Sequence, residues 1–168
     1  MRTDLLVEPA LAQGLHAVPA EPLLAWAVSP PLEFEHALGF DLILEGFLAH
    51  HGRPRELVLP DIPALVLAGD YCFAAGLVRV ARANDVFVID ALASLVGLSV
   101  GVVASGRRAE LPMLWRGTAA AVAGSAQPAT RAAFAEAVRR ATHDGDPSGF
   151  GHLAREVPDL PDLEGVFA

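Results

Sequence analysis

The chain has 168 residues, a formal net charge of −8, and 53% hydrophobic but only 7% aromatic residues. That length is enough for one domain with a proper core, and an apolar mass made of Ala, Leu and Val favours helices. The acidic balance excludes nucleic acid as a partner, because gripping phosphates takes a basic face.

All 12 basic residues are Arg, with no Lys, which reads as the codon bias of a GC-rich genome. Cys72 is the single cysteine. An intrachain disulfide is therefore excluded, which suits a reducing cytoplasm, and a lone Cys between Tyr71 and Phe73 reads as a small core residue. The first residues lack the charged, apolar and small-residue succession of a signal peptide, so the expected location is cytoplasmic.

Residues 1–35 are weakly patterned. Leu5, Leu6, Leu11 and Leu15 fit one helix face, and Pro19, Pro22, Pro30 and Pro31 then break the segment, leaving room for a short helix at 23–28. A helix is expected over 33–50, where Phe34, Leu38, Leu42 or Ile43, and Phe47 follow a helical period; Gly52 and Pro54 end it. Pro60, Asp61 and Pro63 mark the start of a second, running to about residue 83. Asn84 and Asp85 supply a turn and a cap. A third helix covers 86–105 and stops at Gly106; a fourth covers 111–123. Pro128 and Thr130 open a fifth over 131–142, with Ala132, Phe134 or Ala135, and Val138 on one face. The tail from His143 is rich in Gly, Pro and Asp and reads as irregular, pinned by Val157, Leu160, Leu163, Val166 and Phe167. With no β-alternation and no internal repeat, the class is an all-α helical bundle in a single domain.

Residues 86–104 are almost wholly apolar and contain the small-xxx-small pair Gly97 and Gly101, so a membrane span has to be weighed. Asp90, Ser94 and Ser99 interrupt the run, no basic cluster precedes it, and an Asp inside a span is costly in lipid. The reading is a buried helix whose small residues admit a close neighbour, with no stable span.

The most informative motifs lie between residues 41 and 71. Asp41-Leu42-Ile43-Leu44-Glu45 is followed after four residues by His50-His51-Gly52-Arg53-Pro54, and later by Ala68-Gly69-Asp70-Tyr71. This spacing resembles the trans-isoprenyl diphosphate synthases (polyprenyl synthetases). Their hallmark is Asp-Asp-x-x-Asp at a helix end, then Arg-Arg-Gly-x-Pro, then a Gly-Asp that opens the next long helix. The resemblance covers roughly residues 36–126 and leaves 1–35 and 127–168 as divergent flanks. It implies a partial isoprenoid-synthase-like fold.

Such enzymes join isopentenyl diphosphate to an allylic diphosphate. They need facing carboxylates for Mg²⁺ and Arg and Lys for the diphosphates. On that plan Asp41 and Glu45 hold the first and last carboxylate positions, four residues apart on one helix face. The middle position is Leu42, the paired arginines are His50 and His51, and the diphosphate-binding lysine falls on Gly117. The second aspartate-rich motif does not occur in the sequence. The resemblance thus points to a pseudoenzyme. Asp41, Glu45, His50, His51 and Gly117 are vestigial metal and diphosphate positions, no residue is assigned to catalysis, no cofactor is expected, and Mg²⁺ is not held tightly. The two carboxylates would solvate the helix face or meet a partner's Arg.

The resemblance also implies a role. Some bacterial prenyl synthases pair a catalytic chain with a small non-catalytic one, through the two helices that follow the first aspartate motif. Here these are 61–83 and 86–105, expected to pack antiparallel. Ala74, Ala75, Gly76, Ala91, Ser94, Gly97 and Gly101 are the small residues that would allow close contact. The expected partner is a catalytic prenyl synthase or a second copy of this chain. The alternatives are an all-α protein binding an isoprenoid or other apolar small molecule, and an active enzyme.

Other constellations carry less. Asp144, Asp146 and Ser148 copy the first half of a calcium loop, but its twelfth position is Arg155, so a turn is expected. His50 and His51 with Asp41 or Glu45 could bind a transition metal. Adjacent helical residues point in different directions, however, and a surface pair at a helix end is the reading. Asp61 and Asp70 read as a cap and a polar contact. No nucleophile elbow or phosphate-binding Gly loop is present.

Overall fold

The computed structural model describes residues 5, 14–15, 34–157 and 163–167. The sequence features expected at Leu6, Leu11, 23–28 and Leu160 lie outside the described residues. Those described form six α-helices and no strand: α1 Phe34–His51, α2 Ile62–Arg82, α3 Val86–Ala104, α4 Leu111–Ala123, α5 Pro128–His143 and α6 Ser148–Glu156. Single 3₁₀ turns sit at Arg108–Glu110 and Glu164–Val166. The all-α expectation holds.

The element boundaries follow local chemistry. Asp61 caps α2, its Oδ1 accepting from the Ala64 N–H at 2.7 Å, with Pro63 in the first turn where no donor is lost. Asp85 caps α3 by accepting from the Phe87 N–H at 3.0 Å. Asn84 makes the left-handed residue of the turn between them, at φ 56°. Gly106, at φ 72°, closes α3 in the conformation that glycine adopts without a steric cost.

Helix α1 is the axis of the molecule. Every residue from His36 to Ala49 is buried, which accounts for its being apolar nearly all round. On one side Phe40, Phe47, Trp115 and Phe167 stack, with ring centroids 5.4–6.2 Å apart. This side belongs to the main core, which takes in Leu92 and Leu95 of α3, Leu114 of α4, Phe134 of α5 and Phe150 of α6. On the other side Leu38 and Leu42 meet Leu5, Leu57, Ala68 and Cys72 in a second cluster.

The closest helix pair is α1 with α2, and it is built on glycine. A Cβ placed on Gly39 would lie 2.9 Å from the Gly76 carbonyl oxygen, and one on Gly76 would lie 2.8 Å from that of Gly39. A Cβ on Gly46 would lie 2.9 Å from the Gly69 oxygen. Gly39 faces Gly76 and Gly46 faces Gly69, so the two helices run antiparallel with backbones in contact at two points. The α2 and α3 helices were expected to pack antiparallel on each other, but they meet only sparsely. Helix α2 takes its main packing from α1 and α3 from α4, because the glycines of α2 are already committed to α1.

The tail differs from expectation. Residues 148–156 are not irregular but form α6, whose Phe150, Leu153 and Ala154 are buried against α4 and α5. Its start is fixed by Asp146, whose Oδ1 accepts from the Ser148 N–H at 2.9 Å and whose Oδ2 pairs with Arg140. Hydrogen bonds from the Ser148 N–H and hydroxyl, and the Arg140 charge, hold the Asp146 carboxyl below its ordinary range. The segment resembling half a calcium loop is thus a helix-initiating turn.

Candidate functional site

Asp41 and Glu45 of α1 are completely buried. This corrects the expectation of a solvated or partner-facing pair. Glu45 reaches across to the segment after α1. Its Oε1 accepts from the N–H of Glu56 at 2.7 Å and of Leu57 at 3.0 Å, and its Oε2 from the N–H of Arg55 at 3.0 Å. One side chain therefore satisfies three consecutive backbone donors that would otherwise be buried unpaired. Burial pushes the Glu45 carboxyl above its ordinary value, against the three hydrogen bonds and the Arg55 charge, which act downward. Its neighbour Cys72 is pushed up to about 12, by burial first and by the Glu45 charge second. That thiol stays protonated and behaves as the small core residue expected of it.

The segment held by Glu45 is itself covered. The Val58 N–H donates to the Gly14 carbonyl at 2.5 Å, Leu15 and Leu57 form an isolated antiparallel bridge, and Leu5 packs beside Leu42. The face of α1 that carries Asp41, Leu42 and Glu45 is thus occupied by this chain's own backbone and side chains.

His50 and His51 end α1, half-buried rather than on the open surface. His50 Nε2 lies 3.2 Å from Asp70 Oδ1, and the His50 ring packs 5.5 Å from Phe73. This realises the polar contact expected of Asp70. The His51 ring sits 4.9 Å from Phe47, and its carbonyl accepts from Arg108 Nη2 at 2.6 Å. Burial, then the His50 and Arg108 charges, hold the His51 imidazole below its ordinary value. A cation-poor imidazole does not replace a guanidinium fork.

Gly117 is buried in α4 under α6. A Cβ there would lie 2.6 Å from Phe150 Cβ and would also strike the Phe150 carbonyl. The space that a side chain at residue 117 would need is therefore taken by Phe150 of α6. Among the described residues there is no group of three or more His, Cys, Asp or Glu side chains placed to hold a metal ion.

The small residues expected at an interface divide. Gly76 and Ala91 are buried inside the chain, Gly76 against Gly39 and Ile43 of α1 and Ala91 in the main core. Ala75 packs against the second cluster, and Ser94 is half-buried. Ala74, Gly97 and Gly101 are exposed, and a Cβ on either of those two glycines would meet nothing within 4 Å. The same two helices carry large exposed apolar side chains: Ile62, Val66, Leu67, Leu77 and Val78 on α2, and Val86 and Val100 on α3, with Leu67 69% and Val86 75% accessible. Helix α3 is thus not the buried helix expected. Both α2 and α3 are long and apolar enough to cross a membrane by length and composition, and most of each lies outside the core. Gly97 and Gly101 line an open recess of about 240 Å³, together with Leu98, Val102, Leu114, Arg107 and Glu110.

The glycine pairs Gly39/Gly46 and Gly69/Gly76 were missed as a packing device. Their equal spacing of seven residues in consecutive helices was the available signal. No family model, curated protein or solved structure matches this chain.

Proposed function

We propose that this chain is a non-catalytic, prenyl-synthase-like subunit that acts by associating with a second helical chain. The observation that carries the reading is the state of Glu45. At the position where the resembling enzymes place a metal-binding carboxylate, it is buried and spent on three backbone N–H groups. Mg²⁺ takes oxygen ligands and bridges them to phosphates, which requires carboxylates facing an open cavity. Here Gly14, Leu15, Leu57 and Leu5 cover that face, and Phe150 covers Gly117. The apolar side chains left exposed on α2 and α3 supply a surface for association instead.

The test is an incubation of the purified chain with isopentenyl diphosphate, an allylic diphosphate and Mg²⁺. No condensation product is expected; Mg²⁺-dependent product would overturn the reading. The recess beside Gly97 favours a second reading, a binder of a small apolar molecule. A rise in melting temperature with an isoprenoid alcohol, lost on filling the recess with Gly101→Leu, would favour it over the subunit.

A further inference from the structure

At the start of α1 an open cleft of about 640 Å³ lies between that helix, the α2–α3 turn and the α4–α5 turn. Its size falls among small-molecule sites, which run from about 300 to 1,000 Å³. The groups lining it come from three separate elements: His36 of α1, Asp85, Val86 and Phe87 at the start of α3, and Ser125 and Arg131 around the start of α5. Two of them keep unused polar capacity. His36 is only 5% exposed, yet its Nε2 has no hydrogen-bond partner among the described residues. A sheltered polar nitrogen without a partner is rare and costly in a fold. Arg131 is oriented by the protein but not used up. Its guanidinium lies 5.0 Å over the Phe87 ring, its Nε donates to the Ser125 carbonyl, and its Nη2 reaches Asp85 Oδ2 at a long 3.4 Å. Its Nη1 donates to nothing among the described residues, and 45% of the side chain is accessible. A guanidinium fork fixed in advance loses little freedom when it takes a carboxylate bidentately.

We infer that the cleft between His36, Asp85 and Arg131 binds a small organic monocarboxylate, with Arg131 on the carboxylate and His36 supplying a second hydrogen bond. The charge balance selects the ligand. Asp85 Oδ1 is engaged by the Phe87 N–H at 3.0 Å, while Oδ2 holds Arg131 only through the long contact. A cation would meet Arg131, and a dianionic phosphate would meet the Asp85 carboxylate with twice the repulsion of a monoanion. A monocarboxylate takes Nη1 and Nη2 together in exchange for one weak contact. Its apolar body has Val86, which is 75% exposed, to rest on. No hydrogen bond pins the His36 Nε2, so a turn of the ring toward the cleft breaks none there. The inference stands apart from both readings of function above, since the cleft shares no described residue with the recess at Gly97.

The experiment titrates the isotope-labelled full chain with sodium benzoate and follows its amide and imidazole chemical shifts. Benzoate is expected to move the amides of 84–87 and 125–131 and the His36 ring, with a Kd of about 1 mM, a modest affinity for so small a molecule. Benzamide, neutral and of the same shape, should bind about tenfold more weakly, because a charged acceptor makes the stronger bond to Arg. Inorganic phosphate should also bind more weakly than benzoate. Arg131→Gln should cost at least about tenfold in benzoate affinity, with amide shifts away from the cleft unchanged. Asp85→Asn keeps the cap of α3, since Asn caps as well as Asp, and removes the charge that competes for Arg131. It should tighten benzoate binding by about threefold, a gain that damage to the fold does not produce. His36→Phe should weaken binding, and if that variant does not fold, the Arg131 and Asp85 variants carry the test. Equal binding of benzoate and benzamide overturns the inference, as does tighter binding of phosphate. So does weaker benzoate binding by a folded Asp85→Asn variant, or a set of shifts confined to 97–102. Absence of any shift at about twenty times the expected Kd overturns it outright.

Discussion

At Glu45 one carboxylate does the work of a short strand partner. Replacing it with Ala leaves the N–H groups of Arg55, Glu56 and Leu57 without acceptors in a buried place. Each buried orphan costs about 1–3 kcal/mol, so Glu45→Ala should lower unfolding free energy by at least about 2 kcal/mol in a denaturant titration. Amide exchange at 55–57 should accelerate in the variant more than elsewhere. A pH dependence follows from the raised Glu45 pKa. The folded protein holds this proton more tightly than the unfolded chain, so the stabilisation is fully present below the ordinary value of 4.5 and is lost as pH rises through the raised folded value. Glu45→Gln should flatten that stretch of the stability–pH curve, at the cost of one mismatched N–H contact.

Two glycines in two helices predict opposite outcomes of the same substitution. Gly117→Ala drives a Cβ into Phe150 and should destabilise by about 1–3 kcal/mol, the usual penalty for overpacking. Gly97→Ala meets open space and should stabilise the isolated chain by about 0.5–1 kcal/mol through helix propensity. Thermal melts of the two variants check both.

At the level of elements, the helices were legible where the sequence carries punctuation. Asp61 with Pro63, Asn84 with Asp85, and Pro128 each mark a start that the structure keeps. Helix α6 was not legible because Gly145, Pro147, Gly149 and Gly151 mask the i, i+3, i+4 spacing of Phe150, Leu153 and Ala154, which decides the matter once α4 and α5 offer a surface. Phe150→Ala should undock α6 and cost about 3–5 kcal/mol, visible as a lower melting temperature and easier proteolysis after residue 147. The candidate site was legible in position and not in state. The spacing of Asp41 and Glu45 is a property of the chain, but what they touch depends on Arg55–Leu57 and Leu5, which no local pattern ties to α1. The small-residue interface failed in part for the same reason: Gly76 and Ala91 look like Gly97 and Gly101 in the sequence, and only tertiary packing separates the inward pair from the outward one.

Across the whole molecule, the core and the exposed surface divide the labour. The buried side of α1 is closed by aromatics and by its own loop, while apolar residues of α2 and α3 stay outside the core. Large exposed apolar patches mark interaction surfaces or aggregation hazards. Gly97→Leu and Gly101→Leu should therefore impair assembly with a partner while leaving the fold intact, read by sedimentation of the complex against the chain alone. Millimolar Mg²⁺ should leave the melting temperature unchanged, since Asp41 and Glu45 have no open side from which to bind it; a Mg²⁺-dependent rise abolished by changing both to Ala would overturn this.

The facing glycines of α1 and α2 have a consequence for synthesis on the ribosome. Gly46 meets Gly69 and Gly39 meets Gly76, so every close contact of this pair lies between segments that leave the exit tunnel before α4 begins. Local contacts close with a small entropic penalty and form early. The α1–α2 hairpin, tied at its bend by Glu45, is expected to be the first protected unit during translation. Chains arrested at the end of α4, with α1 and α2 clear of the tunnel, should already shield the amides of Arg55–Leu57 from exchange, and Gly69→Val should delay that protection rather than merely weaken the finished protein.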